Sequence, residues 1–545
     1  MIGAKNNQKM VPGELIVKVK DGQSALSMKT SLFSALDHEF GENSVLAMKP
    51  FITDTKLTRI KIKAGLSVEK AIEALEKLSY VEYAEPNYIL TIQDHRSQIL
   101  SGEPNDADFA KLWGMKNTGQ ADSAGQVGTP GVDVNVLPLW EQGHTGSKEI
   151  LVAVIDTGID WDHPDLVDNL YHNPGEAGEL AENGIDDDGN GFIDDTHGWN
   201  FAADTRSSDD DHSHGTHCAG TIGGVGNNSI GVAGVNWEVS LLPIKFLTAG
   251  GSGSLADAVE SINYATLMNV DVMSNSWGGG GHSQTMEDAI KASRDKGILF
   301  VAAAGNDSSD NDSSPTYPAG YEVENVVSVA AIDNQDKLAY FSNWGRTGVH
   351  VAAPGVKIYS TVKGGTYKSY SGTSMATPHV AGVAALMMSI DSTLAYSDIK
   401  ERLVKTSEPV RTLKRKVVAK GRVSAFNAVN NIEPPSDDPD ESLWKDVEFE
   451  HESKHPYENN RNQNVEVTQP GVQYIRIHFE KIELERKYDK ILIKTPEGEL
   501  IETIDGKKTD YTTDYIKGDT AILNFVSDTS VAYWGYKIDK IQVVE

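Results

Sequence analysis

Ser371-Gly372-Thr373-Ser374-Met375-Ala376-Thr377-Pro378-His379 runs directly into Val380-Ala381-Gly382-Val383-Ala384-Ala385-Leu386. The second half is apolar on every face and made of small residues, so it reads as a helix buried all round. The glycine reads as a turn and sets Ser374 at the helix start. There the unpaired backbone N–H groups and the helix dipole favour developing negative charge. Alone, such a serine is an N-cap; beside a base, it is a nucleophile.

A base and its orienter lie upstream. Ile150-Leu151-Val152-Ala153-Val154-Ile155 is an uninterrupted β-rich run that ends in Asp156-Thr157-Gly158. It reads as a buried parallel strand that delivers a carboxylate at its C-terminal edge. His214-Gly215-Thr216-His217-Cys218-Ala219-Gly220 puts an imidazole at the opening of a second small-residue helix. A third strand, Gly297-Ile298-Leu299-Phe300-Val301-Ala302-Ala303-Ala304, ends in Gly305-Asn306, where a side-chain amide can donate to an oxyanion. A fourth, Val270-Asp271-Val272-Met273-Ser274-Asn275, ends in Ser276-Trp277-Gly278-Gly279. Several apolar strands thus place polar ends at one sheet edge, where open α/β sheets bind ligands. Singly, each residue is an ordinary turn, cap or loop residue; together, in the order Asp, His, Ser, they form a catalytic constellation.

With these motifs the chain resembles the subtilisin-like serine proteases (subtilases) over most of residues 105–430. The resemblance implies an α/β fold, a parallel sheet flanked by helices, and peptide-bond hydrolysis. In that scheme Ser374 attacks the carbonyl, His214 takes its proton, Asp156 fixes the imidazole tautomer, and Asn306 stabilises the oxyanion. Gly251, Ser252 and Gly253 on one side, and Ser276, Trp277 and Gly278 on the other, resemble the substrate-binding edges to which an extended peptide adds as a strand.

At 545 residues the chain suggests about three domains. A formal charge of -30 argues against nucleic acid or an anionic membrane as partner. No apolar run is long enough to span a bilayer. The opening Met1-Ile2-Gly3-Ala4-Lys5-Asn6-Asn7 holds no signal-peptide core, so either the protein stays inside the cell or a leader precedes this sequence. The single cysteine, Cys218, excludes an intrachain disulfide and lies one helical turn from His214.

Residues 11–92 alternate like strands around a capped helix, Ser67-Val68-Glu69-Lys70-Ala71-Ile72, and close on Ala84-Glu85-Pro86-Asn87-Tyr88. They resemble the subtilase propeptide, a small ferredoxin-like α/β chaperone and inhibitor whose tail lies in the active site until cut. Residues 93–432 are the catalytic unit, opened by a polar linker; a maturation cut is expected between Leu90 and Asp108. Residues 433–443 form a Pro- and Asp-rich spacer. Residues 444–545 alternate with period two and read as a β-sandwich that resembles a CUB-type domain without its disulfides; Glu485, Asp489 and Asp528 are candidate calcium ligands there.

Asp186, Asp188 and Asn190 alternate in an oxygen-rich loop, followed by Gly191 and by Asp194 and Asp195. They resemble an EF-hand-like Ca2+ loop, although His197 stands where the full motif has a bidentate Glu. The subtilase resemblance implies a second calcium on Asp165 and Asn228, with backbone oxygens near Gly226, Ile230 and Val232. The expected protein is a secreted, calcium-stabilised endopeptidase, a monomer acting on protein or peptide substrates and inhibited by its own propeptide. The alternatives are an intracellular processing protease and a non-catalytic binding protein that uses the β-domain. Asp307, Asp310 and Asp312 read first as surface-loop acidity; the alternative reading is a preference for a basic residue near the cut.

Overall fold

The computed structural model describes residues 10–20, 24, 26–50, 56–88, 103–435 and 438–545. It divides into two compact units, residues 1–99 and 100–545.

In the first unit the order is β1 (Met10–Val19), α1 (Lys29–Phe40), β2 (Val45–Pro50), β3 (Leu57–Ile62), α2 (Val68–Glu76) and β4 (Val81–Tyr88). The antiparallel sheet runs β2-β3-β1-β4. Leu15, Val17, Ile60 and Ile62 meet Leu32, Leu36, Ala71 and Leu75 in one core. Ser67 caps α2 by accepting from the Lys70 N–H at 3.2 Å. The expected cut region from Leu90 to Asp108 lies mostly outside the described residues.

The second unit opens with α3 (Leu137–Glu141), β5 (Gly146–Asp156), β6 (Trp199–Asn200), α4 (His214–Gly223), β7 (Glu238–Lys245), α5 (Leu255–Leu267), β8 (Val272–Asn275), α6 (Gln284–Asp295) and β9 (Leu299–Ala303). Then come β10 (Val326–Ile332), β11 (Val351–Pro354), the hairpin β12 (Ile358–Val362) and β13 (Thr366–Tyr370), α7 (Thr373–Ile390), α8 (Tyr396–Lys405), β14 (Glu408–Pro409), β15 (Gly421–Arg422) and α9 (Ala425–Asn430). The main sheet runs β14-β15-β11-β10-β9-β8-β5-β7-β6, parallel except at the β14/β15 edge. Both faces are covered, because period two sends alternate residues to opposite cores. Val152 and Val154 join one cluster with α4 and α7, whereas Ala153 and Ile155 join another with α5 and α6. Strand β5 has β7 on one side and β8 on the other. The chain therefore winds away from it in both directions, which opens a crevice at its C-terminal end, where Asp156 lies.

The remaining strands are β16 (Lys445–Glu452), β17 (Asn462–Thr468), β18 (Tyr474–Glu483), β19 (Lys490–Lys494), β20 (Leu500–Ile504), β21 (Lys507–Thr512), β22 (Ile516–Lys517), β23 (Thr520–Val526) and β24 (Gly535–Val544). One sheet runs β16-β24-β18-β21 with β22 beside β18; the other runs β17-β23-β19-β20. Their inward residues, among them Ile477, Phe479, Leu523 and Ile538, share one core, which makes a sandwich. The sandwich meets the segment just before β15. Lys414 pairs with Asp514 at 3.1 Å and sits 3.5 Å from the Tyr515 ring centroid, and Arg415 pairs with Glu502 at 3.4 Å.

Candidate active site and cation clusters

Asp156 ends β5 and is fully buried; His214 is the first residue of α4. His214 Nδ1 lies 2.8 Å from Oδ1 and 3.0 Å from Oδ2 of Asp156. A carboxylate on Nδ1 fixes that proton there and leaves Nε2 as the basic nitrogen. Burial opposes the charged imidazole, but the Asp156 charge, its hydrogen bond and the charge of Asp210 outweigh it, so the His214 pKa stands above its ordinary value. Its helix neighbour His217 is pushed by burial down to about 3, and its Nε2 faces the carbonyls of Ile358 and Lys368 at 3.0 and 3.1 Å. It is a neutral packing residue.

Gly372 precedes α7, and Ser374 is the second helical residue. Ser374 Oγ donates to the Ser276 carbonyl at 2.9 Å, and Ser276 Oγ donates back to the Ser374 carbonyl at 2.9 Å. Cys218 Sγ also points at the Ser374 carbonyl, at 3.4 Å. Burial pushes this thiol well above its ordinary range, so it stays protonated and packs.

Asn306 follows β9. Its Oδ1 accepts from the Thr373 N–H at 2.9 Å and from Thr373 Oγ1 at 3.1 Å. Two donors on Oδ1 settle which end of the amide is which, and Nδ2 is left facing the Gly372 turn.

The two expected substrate edges are loops at the same sheet end. Ser254 caps α5. A side chain at Gly253 would meet the Phe246 carbonyl at 2.4 Å, and one at Gly278 the Tyr317 carbonyl at 3.0 Å. Trp277 packs edge-on against Phe246 with ring centroids 4.8 Å apart. Asp312 accepts from the backbone N–H groups of Arg346, Thr347 and Gly348.

Asp188 and Asp195 come together with Glu176, which the sequence pattern did not single out; ligand oxygens of all three lie within 4.8 Å of one another. Glu176 is fully buried, and its Oε2 has no partner among the described residues. Burial holds the carboxyls of Glu176 and Asp195 above their ordinary values. Asn190 Nδ2 braces Asp195 at 2.9 Å. Asp186 and Asp194 instead build the loop: Asp186 accepts from the N–H groups of Gly189, Asn190 and Gly191, and Asp194 from those of Asn183 and Gly184.

Asp165 is buried, with Asn228 Nδ2 on Oδ1 and the Val232 N–H on Oδ2, each at 2.7 Å. The Ile230 N–H donates to Asn228 Oδ1 at 2.9 Å. A buried carboxylate missed in the sequence, Asp106, stands beside them. Its Oδ2 accepts from the Asn227 N–H at 2.7 Å, and its Oδ1 has no partner among the described residues. Burial raises both carboxyls, and the Asp106 charge raises Asp165 further. In the sandwich Glu485, Asp489 and Asp528 also converge within 4.8 Å, and Glu485 Oε2 has no partner among the described residues.

Comparison with known proteins settles the family. The subtilase family model matches residues 147–434, and the model of the fervidolysin N-terminal prodomain matches residues 2–87. The chain belongs to the subtilase family. It is 34% identical over 421 residues to a thermophilic serine proteinase of Bacillus sp. (strain AK1), covering 77% of this chain and 88% of that one. It is 36% identical over 297 residues to subtilisin-like protease 1 of Plasmodium berghei (strain Anka), covering 51% and 49%. It is 40% identical over 270 residues to subtilisin E of Bacillus subtilis (strain 168), covering 49% and 63%. The protein is a subtilisin-like serine endopeptidase with a prodomain. Among the described residues no helix is long and apolar enough to cross a membrane.

Proposed function

We propose that Asp156, His214 and Ser374 form the catalytic triad of a secreted, self-processing, calcium-stabilised endopeptidase, with Asn306 as the oxyanion donor. The observation that carries the reading is the Asp156–His214 pair opposite a serine at the start of a buried helix. Ser374 turns from the Ser276 carbonyl toward His214 Nε2, gives up its proton there and attacks the peptide carbonyl. The imidazolium returns the proton to the leaving amine, and water repeats the cycle on the acyl-enzyme. Ser276, Trp277 and Gly278 with Gly251, Ser252 and Gly253 line the edges that hold the peptide backbone. The prodomain is the chain's own inhibitor until it is cut.

Incubating the purified chain with calcium, then measuring intact mass and casein hydrolysis, tests this reading. Loss of the first unit by a cut between Leu90 and Asp108, together with casein hydrolysis, is expected. An active enzyme that still begins at Met1 refutes self-processing.

The donor sets fit calcium: hard carboxylate oxygens converge in two of them, Asp106 and Asp165 neighbour each other in the remaining one, and in each set one buried oxygen lacks a partner among the described residues. Glu176, Asp188 and Asp195 would hold one ion, Asp165, Asn228 and Asp106 another, and Glu485, Asp489 and Asp528 a third. An ion that binds only the folded state stabilises it by about 2.7 kcal/mol at a hundredfold excess over Kd. EDTA should therefore lower the Tm, and calcium should restore it better than magnesium, which keeps its waters too firmly for such sites. Glu176→Gln should remove part of the calcium response. Asp186→Ala should destabilise the loop while leaving the response to calcium largely in place. An unchanged Tm in EDTA counts against all three sites.

A further inference from the structure

Asp210 lies four residues before His214 in sequence and is fully buried, yet the hydrolytic scheme gives it no task. Its carboxylate accepts five hydrogen bonds. Oδ1 takes Thr157 Oγ1 at 2.9 Å and the N–H groups of His212 and Ser213 at 2.8 and 3.0 Å. Oδ2 takes the Thr216 N–H at 3.0 Å and Thr216 Oγ1 at 2.6 Å. These partners are not scattered. Thr157 follows Asp156, Ser213 precedes His214, and Thr216 is in the first turn of α4. Ser213 holds φ +92°, a left-handed conformation costly for a residue with a Cβ, and its side chain does not cap the helix. Asp210 supplies the missing cap from outside and holds the strained residue in place. Thr157 is gripped at its other end too: its carbonyl accepts from the buried Lys245 ammonium at 2.7 Å, which also reaches Asp211 at 2.6 Å.

We infer that Asp210 is a positioning residue: it ties the strand end bearing Asp156 to the helix start bearing His214 and adds a second negative charge behind the base. His214 opens α4, where the helix dipole disfavours an imidazolium. A carboxylate on the same N–H groups offsets that field at the stage when the imidazole carries the serine proton. The other groups around His214 are Asp156 on β5, His212 with its ring 6.3 Å away, the buried His217 and Cys218 on α4, and Lys245 on β7, already engaged by Asp211. None of them is a second anion fastened to both elements.

The inference rests on the triad reading, so the two must fail separately. The matured enzyme is assayed on a chromogenic peptide across pH, with wild-type enzyme supplying the maturation cut in trans if a variant processes slowly. Asp210→Asn keeps the shape and removes the charge. Its kcat should fall about 10- to 100-fold, the range for a misplaced catalytic group, with KM little changed. Its acid limb should move to lower pH, because an imidazolium with one anion fewer gives up its proton more readily. Thr216→Val keeps the charge and removes two hydrogen bonds, the one its hydroxyl gives to Asp210 and the one it accepts from the Asp160 N–H; its kcat should fall with the acid limb unmoved. If Asp210→Asn does not fold, Thr157→Val cuts the link to the Asp156 strand and should lower kcat at unchanged KM. An Asp210→Asn enzyme with wild-type kcat or an unshifted acid limb overturns the inference, as does a Thr157→Val enzyme with wild-type kcat when Asp210→Asn cannot be made. Full activity in Ser374→Ala would instead overturn the triad.

Discussion

Ser374→Ala should leave the chain full-length and without measurable proteolysis. Ser374 sits second in α7, with its Oγ held by the Ser276 carbonyl at the end of β8. Alanine fits that position without strain, so the fold survives and the loss reports chemistry. The expected fall in kcat is on the order of 10⁶, the magnitude known from subtilisin's own serine and carried over to a relative. A residual acceleration of about 10³–10⁴ over water belongs to the oxyanion donors and to substrate binding. Self-processing uses the same machinery, so intact mass should show an uncut chain where wild type is cut. Cleavage near the wild-type rate would remove Ser374 from the triad.

The contrast between the proposed triad and its supports shows what the sequence made legible. Asp156, His214, Asn306 and Ser374 each end or begin a strongly patterned element, a buried strand or a small-residue helix, so their neighbours announce them. The uninterrupted apolar runs Ile150–Ile155 and Val380–Leu386 are physical requirements of a sheet covered on both faces and of a helix through its centre. Glu176, Asp106 and Asp210 have no such frame. Each is one carboxylate in an irregular stretch, and its meaning comes from residues that the fold brings to it: Asp188 and Asp195 for Glu176, Asp165 for Asp106, Thr157 and Thr216 for Asp210. Within the alternating Asp186, Asp188 and Asn190 stretch, Asp186 turns oxygens on the backbone of its own loop, while Asp188 joins Glu176 and Asp195. Asp312, close in sequence to Asn306, finds its partners more than thirty residues away in the 346–348 turn.

Asn306→Ala should act on the transition state and not on the ground state. A ground-state peptide carbonyl is already satisfied by solvent or by the cleft backbone, and the amide adds most when the carbonyl oxygen becomes an oxyanion. Orientation decides whether the amide can do this. Thr373 donates to Oδ1 twice, from its N–H and its hydroxyl, so Nδ2 is presented on the Gly372 side, next to the Ser374 N–H. A preset donor costs no reorganisation during the reaction. The expected result is a fall in kcat of about 10²–10³ with KM nearly constant, a figure that comes from subtilisin's own oxyanion asparagine and is transferred here by kinship. Asn306→Asp should do worse than Ala, since it sets a negative oxygen where negative charge develops. Thr373→Val removes the hydroxyl clamp and keeps the N–H one, so it should cost less than either. A rise in KM at constant kcat would place Asn306 in substrate binding instead, and Asn306→Asp matching Asn306→Ala would mean that the amide does not face the oxyanion.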